Sequence, residues 1–190
     1  MASTTANTPA ANFVRRTPQG DNRDRLVCAD CGHIAYENPK IVTGAVITLA
    51  GRVLLCRRAI SPGLGRWTIP AGYMELGETV AEGAIREARE EARADIVIDG
   101  LLACFSISRI GQVQLFHRAR FADPNAPLLH EAGDETLETA LVGWDDIPWS
   151  ELAFPTVRWV LHAWRDAGDG PLGAPATNPA EDARGQKPLP

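Results

Sequence analysis

Gly72-Tyr73-Met74-Glu75-Leu76-Gly77-Glu78-Thr79-Val80-Ala81-Glu82-Gly83-Ala84-Ile85-Arg86-Glu87-Ala88-Arg89-Glu90-Glu91-Ala92-Arg93-Ala94 is the stretch on which the reading of this chain turns. Val80, Ala81, Ala84, Ile85, Ala88 and Ala92 recur at helical spacing and predict a helix over 80–92 with one apolar face. Thr79 suits the N-cap, and Glu82 three residues later completes a capping box. The opposite face carries Glu82, Arg86, Glu87, Arg89, Glu90, Glu91 and Arg93. Glu87, Glu90 and Glu91 sit at i, i+3 and i+4, so three carboxylates crowd one face and repel. A hard divalent cation relieves that repulsion, and Mg²⁺ takes oxygen ligands in octahedral geometry. Arg86 reaches back towards Glu78 or Glu90 and can fix a carboxylate's orientation. Gly72 allows backbone to approach the site closely. The plainer alternative is a solvated face laced with Glu–Arg pairs.

Outward from the helix, the pattern alternates with strands. Ile41 to Leu49 is rich in β-branched residues and reads as a strand buried on both faces. Gly51 fits a hairpin turn, with Arg52 to Arg58 as the return strand. Ser61 to Gly65 is a loop by composition, and Trp67 to Ile69 a short strand ending at Pro70. After the helix, Ile96 to Arg109 and Gln112 to Phe121 read as strands joined near Gly111. Asp123 to Asp134 reads as a loop, Leu137 to Trp144 as a strand, and Pro155 to Arg165 as a second helix with Pro at its first turn. This order predicts an α/β or α+β sandwich. Residues 1–22 are expected to form a flexible arm with ordered contacts only towards Asp21. Residues 23–39 hold a thiol-bearing turn, 40–165 the main domain, and 166–190 a disordered Gly/Pro/Ala-rich tail.

Composition narrows the function classes. The chain has 190 residues, 45% hydrophobic and 23% charged, which suits one well-packed globular domain. Its net charge of −5 comes without a basic block, which argues against a duplex nucleic-acid binder. A small anionic substrate remains compatible, since local arginines and a divalent metal outweigh the global field at short range. No apolar run approaches the roughly 20 residues of a membrane span. The N-terminus lacks the features of a secretory signal, so a cytoplasmic location is expected and a disulfide framework among Cys28, Cys31, Cys56 and Cys104 is not.

The quoted stretch resembles the Nudix box, Gly-x5-Glu-x7-Arg-Glu-U-x-Glu-Glu-x-Gly-U, where U is aliphatic. Gly72, Glu78, Arg86, Glu87, Ala88, Glu90, Glu91 and Ala94 fall on the pattern. Arg93 departs from it, where the family usually has Gly. The resemblance implies a Nudix α/β/α sandwich with a mixed sheet and a loop–helix–loop catalytic motif. It implies Mg²⁺- or Mn²⁺-dependent hydrolysis of a nucleoside diphosphate linked to another moiety. Carried over, Glu87, Glu90 and Glu91 are metal ligands, the Gly72 carbonyl touches metal, and Glu78 and Arg86 orient the site.

The resemblance extends over about residues 20–165. Cys28-x-x-Cys31-Gly32-x-x-x-Tyr36-x-Asn38-Pro39-Lys40, then Leu54 to Arg58, then Gly65-x-Trp67-Thr68-x-Pro70-Ala71-Gly72-Tyr73, looks like the subgroup with a zinc-ribbon-like N-terminus. Members resembling it include FAD and ADP-ribose pyrophosphatases. The Ser-Gln-Pro-Trp signature of NADH pyrophosphatases is absent. Zinc is not expected: a structural site usually needs four ligands, and only Cys28, Cys31 and His33 cluster locally. The segment reads as a degenerate ribbon. Arg57 or Arg58 is a candidate for substrate phosphate, Trp67 for a base contact. Glu135 or Glu138, after the box, is a candidate further ligand or general base. The leading expectation is cleavage of FAD or ADP-ribose into AMP and a second phosphate product. A nucleoside triphosphate pyrophosphatase and a non-catalytic nucleotide sensor are the alternatives. The resemblance also makes a homodimer an expected partner arrangement.

Overall fold

The computed structural model describes residues 12–180, so the outermost parts of the expected arm and tail lie outside the described residues. The chain divides into two compact units between Asn38 and Pro39.

In the first unit, β1 (Phe13–Arg16), β2 (Arg25–Cys28) and β3 (Ile34–Ala35) form an antiparallel sheet in that order. The strand at Phe13–Arg16 corrects the expectation of a loose arm over 1–22. Its residues pair in register from Phe13 opposite Cys28 to Arg16 opposite Arg25. An exposed segment with little apolar content is thus ordered by main-chain pairing, which composition does not register. The connection is tied by an Arg25–Asp21 ion pair at 2.8 Å and a Thr17–Asp24 hydrogen bond. In the turn after β2, the Gly32 N–H donates to the Cys28 carbonyl and the Cys28 N–H to that of His33. Backbone N–H groups of Cys31 and Asp30 hold the Cys28 thiol below its ordinary range.

The second unit contains β4 (Lys40–Leu49), β5 (Arg52–Arg58), β6 (Trp67–Thr68), β7 (Ala71–Tyr73), α1 (Val80–Ala92), β8 (Ile96–Ile107), β9 (Gln112–Phe121), β10 (Thr136–Val142) and α2 (Pro155–Ala167). The sheet runs β10-β5-β4-β9-β8, with β6 on β5 and β7 on β4. The β4–β9 pairing is parallel and the other pairings are antiparallel, so the sheet is mixed. Strand alternation divides its side chains between two cores. Val46, Val53 and Leu55 join Val157, Val160, Leu161 and Trp164 of α2. Ala45, Ile47, Leu54 and Cys56 join Ala84, Ala88 and Ala92 of α1. The sheet is therefore sandwiched by one helix on each face, as the element order predicts.

Two local findings differ from expectation. The short strand expected to end before Pro70 is present as β6, but a second strand that the sequence reading left out, β7, follows it with a different partner, β6 lying on β5 and β7 on β4. Pro70, which has no N–H to give to a ladder, sits at the changeover. The second concerns the tail expected to be disordered over 166–190. Helix α2 continues to Ala167, and the segment beyond it lies along β8. There the Cys104 N–H donates to the Ala176 carbonyl at 2.8 Å and the Ala176 N–H to that of Leu102 at 2.9 Å. The Asn178 amide exchanges two hydrogen bonds with the Ser106 backbone. Strand β8 is a sheet edge, and its open backbone groups recruit the passing chain. Among the described residues no helix is long and apolar enough to cross a membrane.

Candidate functional site

Helix α1 begins with the expected capping box. The Thr79 hydroxyl accepts from the Glu82 N–H and the Glu82 carboxylate from the Thr79 N–H. It ends at Arg93, which takes a left-handed conformation with φ +51°. That is where the box pattern has Gly, the residue that enters this region without a Cβ penalty. The helix is anchored to the sheet by the Thr43 hydroxyl, which donates to the Val80 carbonyl at 2.7 Å.

The solvated-face alternative does not describe this helix. Glu87 and Glu91 are each only 7% exposed, while Glu90 faces outward. Alongside the alanine stripe runs a second buried stripe of Gly83, Glu87 and Glu91 at successive i, i+4 positions. Burial pushes the Glu91 carboxyl up to about 8, against the Ala71 N–H that donates to it at 3.1 Å. Burial also raises Glu87, opposed by Arg86.

Arg86 holds the cluster together. Its guanidinium grips both oxygens of Glu78 at 2.8 and 3.0 Å. It also donates to Glu87 at 2.7 Å, to Glu90 at 3.0 Å and to the Tyr73 carbonyl at 2.9 Å. The Arg86 hydrogen bonds hold Glu78 down at about 2, helped by the Glu75 N–H, and Arg86 itself is raised. The planar fork of arginine suits this multiple grip, which lysine could not supply.

Two glycines set the walls. A Cβ on Gly72 would fall on the Glu87 carboxylate, and one on Gly133 would overlap the Glu90 carbonyl. The second contact reflects how the loop before β10 is pinned to the end of α1. The Glu131 N–H donates to the Ala92 carbonyl at 2.8 Å and the Gly133 N–H to that of Glu91 at 3.0 Å. This pinning delivers Asp134 and Glu135 to the glutamate cluster.

These groups line a cavity of about 920 Å³. Its wall includes Gly72, Arg86, Glu87, Glu90, Glu91, Glu135 and Arg58, together with Gln112, Gln114, Phe154 and Trp159. Arg58 is oriented by donation to the Pro62 carbonyl at 2.7 Å and packs over the Phe154 ring. Its charge acts on Glu91, lowering that carboxyl, while Glu135 acts in the opposite sense on both Glu87 and Glu91.

Three sequence candidates fall elsewhere. Arg57 and Glu138 are not in the lining; they pair with each other across β5 and β10 at 3.3 Å, in half-exposed positions. Strand alternation sends Arg58 to the cavity and Arg57 away from it. Trp67 packs against the core beside α2, its carbonyl accepting from the Ala153 N–H. Conversely, Gln112, Gln114 and Trp159 join the lining without any sequence motif, and Tyr73 and Phe154 join it without having been singled out as site residues. The only signal for the glutamines was their i, i+2 alternation along β9.

The donor set suits a hard divalent cation. Glu87 and Glu91 present buried carboxylate oxygens whose charge burial opposes, and oxygen-rich sites of this kind favour Mg²⁺ or Mn²⁺. As the side chains are placed, Arg86 occupies the space between Glu87 and Glu90, and no three His, Cys, Asp or Glu residues form a ready-made cage among the described residues.

Comparison with known proteins agrees with this architecture. Residues 38–164 match the NUDIX domain family, and residues 10–37 match the zinc-ribbon family described as Nudix N-terminal. A crystal structure of a NUDIX hydrolase from Nitrosomonas europaea is 37% identical and superposes with a TM-score of 0.77, covering 91% of this chain and 95% of that one. An ADP-ribose pyrophosphatase of Methanocaldococcus jannaschii is 32% identical over 71 residues, 37% of this chain. A MutT-like protein of Streptomyces ambofaciens is 35% identical over 79 residues, 42% of this chain. The chain spans 42% and 49% of the length of these two curated relatives.

Proposed function

The chain belongs to the Nudix hydrolase family, and from that premise we propose that it cleaves the diphosphate linkage of a nucleoside diphosphate derivative such as ADP-ribose or FAD. The products are AMP and a second phosphate, ribose 5-phosphate or FMN. The observation that carries this reading is the pairing of buried Glu87 and Glu91 with Arg58 on the wall of one cavity of about 920 Å³. That volume lies at the upper end of ordinary small-molecule sites, roughly 300–1,000 Å³, and suits a dinucleotide-sized ligand. The name of the Methanocaldococcus jannaschii relative, ADP-ribose pyrophosphatase, supports the first substrate.

In this reading Glu87, Glu90, Glu91 and the Gly72 carbonyl would hold Mg²⁺ or Mn²⁺. A cation held there would neutralise the diphosphate oxygens and make a bound water a better nucleophile. Arg86 keeps the carboxylates oriented through its grip on Glu78, Glu87 and Glu90. Arg58 meets substrate phosphate. Glu135, a cavity carboxylate near enough to act on both Glu87 and Glu91, accepts the proton of the attacking water, whereas the other candidate, Glu138, pairs with Arg57 outside the lining. The water oxygen bonds to one phosphorus, the bridging P–O bond breaks, and its electron pair leaves with the other phosphate.

The test is a product assay. Purified protein with Mg²⁺ is given ADP-ribose, FAD or a nucleoside triphosphate in parallel, and products are separated. AMP with ribose 5-phosphate or FMN is the expected result. Pyrophosphate release from the triphosphate alone would transfer the assignment to a triphosphate pyrophosphatase. Tight binding of ADP-ribose without any cleavage would transfer it to a sensor.

A further inference from the structure

The segment matched by the zinc-ribbon family does not offer the donors that a zinc ion takes. Structural zinc is held by four ligands, chiefly Cys and His. Residues 1–27 contain no Cys, His or Glu, and their only acids are Asp21 and Asp24. Asp21 is paired with Arg25, and Asp24 accepts from the Thr17 hydroxyl. Strand β1 sets Phe13, which has no donor atom for a metal, opposite Cys28. Among the described residues no three His, Cys, Asp or Glu side chains form a group able to hold a metal.

Half of a ribbon's thiols remain, and both sit on one turn. The Gly32 N–H donates to the Cys28 carbonyl at 2.9 Å, and the chain leaves the turn through Gly32 at φ +75°. The Cys28 N–H donates to the His33 carbonyl at 2.8 Å and closes the other side. Tight turns keep residues i and i+3 within about 7 Å, and a disulfide spans Cα atoms about 4.4–6.8 Å apart. The side chains already meet: the Cys31 thiol and the N–H groups of Asp30 and Cys31 donate to the Cys28 sulfur. Both cysteines are free, Cys28 buried and Cys31 exposed. The unit around them, Met1–Asn38, buries only Val27 and Cys28 as apolar side chains among its described residues. Units below about 40 residues usually need a cross-link, a metal or association to persist.

We propose that Cys28 and Cys31 form a thiol–disulfide exchange site, in which a low-molecular-weight disulfide such as oxidised glutathione closes an intramolecular bond where the ribbon family would place zinc. The site is independent of the diphosphate-cleavage reading. The exposed Cys31 attacks one sulfur of oxidised glutathione as its thiolate and releases one glutathione. Cys28 then attacks Cys31 Sγ, and the second glutathione leaves. Two cysteine thiols are oxidised, one glutathione disulfide is reduced, and the two cysteine protons pass to the two glutathione thiolates. Because Cys31 is exposed, the bond stays open to reduction by the same route.

The test incubates the full-length protein with oxidised glutathione, alkylates it under denaturing conditions and digests it with trypsin. Cleavage after Arg25 and Lys40 leaves both cysteines in one peptide, 26–40. That peptide is expected to be lighter by two hydrogens and closed to alkylation, and dithiothreitol should reverse both changes. Cys28→Ser should stop at the mixed disulfide between Cys31 and glutathione, and wild type should carry at least about tenfold less of that species. Metal analysis of protein purified without chelator should find no stoichiometric zinc. The proposal is overturned if zinc stays bound through gel filtration at one per chain or one per two chains. It is equally overturned if the wild-type peptide remains open to alkylation in excess oxidised glutathione, or if wild type accumulates the mixed disulfide as Cys28→Ser does.

Discussion

Replacing Glu91 by Gln should stabilise the metal-free protein while abolishing its activity. Glu91 is 7% exposed and its carboxyl is pushed from 4.5 up to about 8 by burial. An acid whose folded-state pKa is raised gives up stability as pH climbs from its unfolded value through its folded one, because the unfolded chain ionises first. The contribution is intact below about pH 4.5 and is lost progressively up to about pH 8. At about 1.4 kcal/mol per unit, the loss between pH 5 and pH 8 comes to about 3–4 kcal/mol. Glutamine stays neutral throughout and keeps an oxygen for the Ala71 N–H, so the variant escapes this loss. For a chain of this size the difference corresponds to roughly 10 °C in Tm at pH 8 and little at pH 5.

The assay is thermal unfolding in EDTA at pH 5 and pH 8 for wild type and Glu91→Gln, repeated with excess Mg²⁺, alongside turnover of ADP-ribose. Wild type should lose Tm with rising pH more steeply than the variant, and Mg²⁺ should restore it in wild type only. Turnover by the variant should fall by about 10³-fold or more if the carboxylate acts in the hydrolytic step. Parallel Tm–pH curves for the two proteins, or a variant less stable at both pH values, would refute the claim that Glu91 is an uncompensated buried acid.

Further substitutions separate the remaining roles. Glu135→Gln should lower kcat by about 10²-fold or more while Glu138→Gln stays within about threefold, because only Glu135 lines the cavity; the reverse order in a steady-state assay would return the role to Glu138. Gly72→Ala places a methyl on the Glu87 carboxylate, so both kcat and Tm should drop, with an overpacking cost of about 1–3 kcal/mol readable by urea unfolding. Arg93→Gly relieves a left-handed backbone at φ +51° and gives up an exposed pair with Asp134 and a place in the cavity lining. Its urea midpoint should rise by the equivalent of up to about 1 kcal/mol, and a fall would show that Arg93 has a partner of greater weight. Glu82→Gln, off the glutamate cluster, should leave turnover within about twofold and cost at most about 1 kcal/mol through the capping box.

What could be read in the sequence follows from how local the determinants are. Helix α1, its cap and the i, i+3, i+4 placement of Glu87, Glu90 and Glu91 depend on neighbours within one or two turns, and their spacing alone describes them. The same holds for the long strands β4, β5, β8 and β9, each of which carries its apolar and β-branched residues within one uninterrupted segment between turn signals. Burial of the carboxylates was not legible, because it depends on what packs against the second stripe of α1. Thr43, 37 residues upstream, anchors that helix, and the Gly133 loop, some 40 residues downstream, closes over its end. Edge pairings were equally hidden: β1 and the Ala176 bridge are held by backbone hydrogen bonds, which any side-chain composition can make.

The choice between Arg57 and Arg58, or between Glu135 and Glu138, shows where the boundary falls. Alternation along a strand predicts that neighbours face opposite sides, but not which side holds the cavity. That information resides in the register of β5 against β10, where Glu138 is set opposite Arg57 and satisfies it. With Arg57 neutralised there, Arg58 is the β5 cation left facing the glutamates. The β9 wall of the cavity is one step further removed. Gln112 and Gln114 join the cavity lining only because β9 runs parallel to β4, so the carboxylates were readable in one helix while this part of the wall depends on a strand pairing.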